Sequence, residues 1–121
     1  MAINLNSQFS DIEEFVSNSS GIYIKFKGGG LMSVHQVSRQ LKRTAQWGNM
    51  YETTEAADLG EFPCEFKDTP YIFLTLYGQS AMFEAVKDTT KSNAGKVYLL
   101  APTYNESATY TIQVFAFGNQ K

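Results

Sequence analysis

The chain has 121 residues, enough for a single domain with its own hydrophobic core, so metals or disulfides are not needed to hold it together. Nine Phe and seven Tyr stand against one Trp, a bias towards strands and recognition surfaces. A formal charge of −2 provides no field to gather nucleic acid or an anionic membrane, and one cysteine excludes an intrachain disulfide. No apolar run approaches the roughly 20 residues of a membrane helix.

Residues 1–20 read as a polar linker or lead-in. Within them Ile12, Phe15 and Val16 have spacings that allow one helical turn. MAINLNSQFSDIEEFV lacks the basic region, apolar core and cleavage site of a signal peptide, so the expectation is synthesis in a host cytoplasm without an export signal. Residues 21–121 form the expected domain. In GIYIKFK, Ile22, Ile24 and Phe26 alternate with Tyr23, Lys25 and Lys27, and LMSVHQV alternates again. Between them, Gly28-Gly29-Gly30 reads as a hairpin turn. A phosphate-binding loop needs Gly-Lys-Ser/Thr opening a helix, whereas here Lys27 precedes the glycines and a strand pattern follows.

SRQLKRTAQWGNMYETTEAADLGEFPCEF has little periodicity and reads as an extended loop with short strands near 45–52 and 61–66. PYIFLTLYG is a strand opened by Pro70 and closed by Gly78. AMFEAVKD fits a strand or a helical turn, and GKVYLLAP is a strand stopped by Pro102. In SATYTIQVFAFG, Tyr110, Ile112, Val114 and Ala116 oppose Thr111, Gln113, Phe115 and Phe117. Both faces carry apolar side chains, so this strand is either central or packs on another copy. The fold class is all-β: an antiparallel β-sandwich of about seven strands with little helix.

Catalytic motifs are lacking. His35 and Cys64 are each the sole residue of their type, which excludes multi-histidine and multi-cysteine metal centres within one chain and reads as structural. GQSAM is no nucleophile elbow, and no calcium-loop pattern or distinctive carboxylate pair stands out. The expectation is a non-enzyme without metal or cofactor. Trp47, Tyr51, Tyr77 and Tyr104 offer flat faces on which sugar rings could stack, and the basic stretch Arg39, Lys42, Arg43 could grip an anionic group. Trp47, Tyr51, Tyr77, Tyr104 and Arg43 are therefore the candidate ligand-binding residues. The alternative for Trp47 is packing in the core or a subunit interface.

Taken in order, GIYIKFKGGGLMSVHQV, QWGNMYETT, FPCEFKDTPYIFLTL and YTIQVFAFGNQK resemble the C-terminal β domains of phage and prophage tail-fibre or receptor-binding proteins. The resemblance spans residues 20 to 121. It implies a β-sandwich at the end of a virion fibre, commonly a homotrimer, that attaches to a host cell-surface glycan or protein alongside other virion proteins. It carries no catalytic motif. A purely structural virion fibre or decoration domain, and a carbohydrate-binding module, are the alternative functions.

Overall fold

A computed structural model describes residues 11–121. There are ten strands and no helix among them: β1 Ile12–Asn18, β2 Gly21–Phe26, β3 Gly30–Trp47, β4 Met50–Thr53, β5 Ala57–Asp58, β6 Tyr71–Tyr77, β7 Met82–Phe83, β8 Lys96–Val97, β9 Leu99–Ala101 and β10 Asn105–Asn119. Three of these have only two residues, leaving seven longer strands. The fold is all-β and antiparallel, as expected.

Eight strands form one curled sheet. Its path runs β1-β2-β3-β4-β9-β7, with β10 on the other side of β3 and β6 outside β10. Strand β3 is 18 residues long and is flanked on one side first by β2 and then by β4. Between these two partners, its side chains catch an irregular segment. His35 Nε2 donates to the Leu59 carbonyl at 2.7 Å, and Arg39 Nε donates to the Asp58 carbonyl at 2.9 Å. That segment runs beside residues 91–97 through the small β5–β8 sheet and bonds such as Phe62 N to Ser92 O and Phe66 N to Lys91 O.

This second layer closes the core. Leu59, Phe62, Phe66 and Val97 pack with Leu31, Leu99, Tyr110, Ile112, Val114 and Ala116 of the large sheet. Alternation places the last four on the same side of β10, and fully burying a side chain such as Ile112 or Val114 contributes about 1.5–3 kcal/mol.

Four expectations for local structure change. Ile12, Phe15 and Val16 lie on strand β1, hydrogen-bonded to β2, and not on a helical turn. Their spacing suits either element, and an unpaired edge of β2 decides in favour of a strand. The part of the lead-in before residue 11 lies outside the described residues. Residues 38–44, expected in a loop, continue β3. The strand expected near 45–52 is the β3–β4 hairpin end, turning at Gly48, whose φ is 60°. The one near 61–66 is reduced to isolated bridges, Glu61 to Asn93 and Phe66 to Gln120.

The glycine triplet is the β2–β3 turn. Gly29 has φ 99° and donates its amide to Phe26 O at 3.0 Å. Gln120 then fastens it: its side-chain amide donates to Phe26 O at 2.6 Å and Gly30 O at 3.1 Å. Gly21 is under tighter constraint. Its φ is 132°, and a Cβ there would collide with Val34 O and lie 2.8 Å from Pro63 Cγ. Gly21→Ala should therefore destabilise the fold by about 2 kcal/mol or more, measured as a lowered urea midpoint at unchanged slope. Gly28→Ala, which meets no atom within 4 Å, should be near neutral.

Candidate functional site

The β3–β10–β6 ladder has an inner face given to the core and an outer face open to solvent. Register aligns Phe15, Ile24, Met32, Phe117 and Tyr71 in one row across five strands, and Ile22, Val34, Phe115 and Phe73 in the next. Opposed residues of an antiparallel pair share a face, so these side chains make a continuous apolar band. Tyr71 is 80% exposed and Phe73 and Phe15 are 59% exposed, while Phe73 meets Phe117 edge-on at 5.8 Å.

Further along the same strands the face turns polar. Thr75 donates to Gln113, which lies opposite Gln36, and Ser38 bonds Thr111. Beyond them a shallow depression of about 360 Å³ is lined by Lys42, Thr44, Tyr104, Glu106 and Ser107. A bulge between Asn105 and Ala108 turns the start of β10 so that its side chains converge on β3. Gln40 donates to the Ser107 hydroxyl, and the Tyr104 hydroxyl donates to Glu106 at 2.9 Å. That bond to the Glu106 carboxylate holds the Tyr104 phenol above its ordinary pKa. Tyr51 supports the Tyr104 ring edge-on at 5.6 Å. A solvated aromatic ring beside an ammonium, a carboxylate and two hydroxyls matches the mixed apolar and hydroxyl-bearing surface of a sugar.

The five candidate residues divide. Tyr51 and Tyr104 are brought together. Arg43 is 2% exposed and faces inward, so it is no surface grip for an anion. It donates to Thr103 O at 3.0 Å, Thr103 Oγ1 at 2.8 Å and Tyr110 OH at 2.6 Å, and so anchors the turn that carries Tyr104. Trp47 is 61% exposed at the hairpin end, outside the chain's own core. It lies opposite Met50, which lines an apolar cleft of about 540 Å³ together with Leu76, Ala81, Met82 and Leu100. Tyr77 stands apart on the outer face of β6, opposite Thr111. Lys42, named in the basic stretch, does line the depression, whereas Thr44, Glu106 and Ser107 were missed, because only the register and the β10 bulge make neighbours of residues some 60 positions apart.

The histidine and cysteine are placed as structural residues. His35 is buried against Leu59 and Phe62, and burial lowers its pKa. Cys64 is half-buried, with Sγ directed at Glu65 O. Among the described residues no three His, Cys, Asp or Glu side chains are grouped to hold a metal ion.

Two solved structures share this architecture. An N-truncated R1-type pyocin tail fibre matches with a TM-score of 0.57 at 14% identity, over 98% of this chain and 99% of that one. A P. aeruginosa R1 pyocin fibre comprising its C-terminal residues 323–701 matches with a TM-score of 0.52 at 16% identity, over 97% of this chain and 32% of that one. No protein-family model and no curated protein matches. The likeness shows the fold: it is the fold of tail-fibre chains, in agreement with the resemblance carried by the sequence motifs.

Arg43→Ala would leave the Tyr110 hydroxyl and two Thr103 oxygens without their donor. It should cost about 2–4 kcal/mol in chemical denaturation, whereas Lys42→Ala, at the rim, should stay within about 0.5 kcal/mol.

Proposed function

We propose that this chain is a distal tail-fibre-like domain that assembles as a homotrimer in a virion or virion-like fibre. It attaches to a bacterial cell surface by binding a glycan, without catalysing a reaction. The observation that carries this reading is the division of one outer sheet face on a tail-fibre fold into an apolar end and a polar, aromatic end. Contiguous exposed apolar surface on a monomer usually marks a protein interface, so the Phe15–Tyr71 band serves association with other copies. The Lys42–Tyr104–Glu106 depression, with Tyr51 beneath, serves the receptor, and Trp47 at the hairpin end adds a stacking surface.

The test has two arms. Light scattering should give a mass three times that of the 13.5 kDa chain, and Phe73→Glu should reduce it to the single chain. Fluorescently labelled protein should stain susceptible cells in a bacterial panel. Tyr104→Ala and Trp47→Ala variants that keep the wild-type mass should stain about tenfold less. A monomeric wild type overturns the assembly role. Equal staining by the folded variants overturns the assigned receptor surface, and no staining of any strain favours a purely structural fibre domain.

A further inference from the structure

Strands β4, β9 and β7 lie side by side, and register sets both Glu52 and Met82 opposite Leu100. Glu84 follows two residues after Met82, and its amide donates to Tyr98 O at 2.9 Å. Residues opposed in a ladder, or two apart on one strand, share a face. Glu52 on β4 and Glu84, the residue just past β7, thus rise on the same face on either side of β9, and their carboxyl groups come within hydrogen-bonding reach.

Glu84 Oε2 is buried and receives no hydrogen bond from an N–H or hydroxyl donor among the described residues. An ionised carboxylate can only accept, so two ionised groups would leave a buried acceptor facing a like charge. A single proton between them satisfies both. Lys87 is the cation that opposes this arrangement, and its Nζ lies 5.5 Å from the centroid of the Tyr98 ring, which faces the same side. The hydrogen bond with Glu52, then burial, then the charge of Glu52 push Glu84 up to about 7, with Lys87 pulling the other way.

Strand β7 is the two-residue end of the sheet path and pairs with β9 alone. Short edge elements of this kind are the first to open. Met82 of β7 and the preceding Ala81 also line the apolar cleft that Met50 of β4 lines from the other side.

We propose that Glu52 and Glu84 share one proton and thereby latch β7 to β4 across β9, so that the Ala81–Met82 wall of the cleft is held at mildly acidic pH and released above neutrality. A carboxyl raised in the folded state keeps its proton where the unfolded chain has lost it. The latch therefore contributes most below about 4.5 and is lost as pH rises to about 7. His35 tilts the opposite way: its lowered pKa makes stability fall as pH drops through the range below 6.5. Comparing wild type with Glu84→Gln cancels that contribution.

Carboxyl-carbon NMR titration of the whole chain should place Glu84 near 7. Hydrogen-exchange protection of the Glu84 amide, corrected for intrinsic rate, should fall about tenfold between about pH 6 and about pH 8. In Glu84→Gln, where an amide donates permanently to Glu52, protection should be the same at both values. Glu61→Gln, an exposed control, should behave as wild type. Titration of Glu84 near its ordinary 4.5 overturns the shared proton. A raised midpoint with unchanged protection overturns the latch.

Discussion

Strands β3 and β10 run antiparallel from Gly30↔Asn119 to Leu41↔Ala108, and that register decides which side chains enter the core and which meet solvent. A slip by one residue would send Tyr110, Ile112, Val114 and Ala116 outward and bring Thr111, Gln113 and Phe117 in. The inward set is fully buried, so the register is strongly specified, and both neighbours inherit it. Strand β6 is in turn aligned on β10, and β2 on β3. The two rows of the apolar band and the polar depression beyond them are consequences of one ladder. Their separation along the face follows from distance along β3, about 3.3 Å per residue from Met32 to Lys42.

That ladder was half legible in the sequence. The parity of β10 and the strand Tyr71–Tyr77 follow from clean alternation, and the triple glycine marks a turn because the strands on both sides alternate. The outer portion of β3 was not legible, for a physical reason. In residues 38–44 its inward positions include Arg39 and Arg43, which carry no hydrophobic signal although Arg43 is buried. Each is there by virtue of a partner from elsewhere: Arg39 reaches Asp58, and Arg43 reaches Thr103 and Tyr110. Strand β1 was obscured differently. Ile12 and Val16 are its partly buried residues, four apart, and a register shift between Ile12 and Glu14 breaks the period of two.

The surface candidates show the same limit. Side-chain type picked out Tyr51 and Tyr104, which meet, but also Arg43, which charge alone assigned to the surface. Its buried guanidinium instead fixes the Thr103 turn from below, so the orientation of the Tyr104 ring depends on a residue that never reaches solvent. The carboxyl pair is likewise a product of topology. Glu52 and Glu84 are 32 positions apart, and only the order β4-β9-β7 sets them face to face.

In the proposed function, one end of the bipartite outer face serves association and the other recognition. Oxidative footprinting of the intact protein in solution reads both ends at once. The account predicts that Tyr71, Phe73 and Phe117 are shielded from labelling while Trp47 and Tyr104 are labelled freely. Free labelling of Tyr71 and Phe73, at the exposure they have in the single chain, would contradict it.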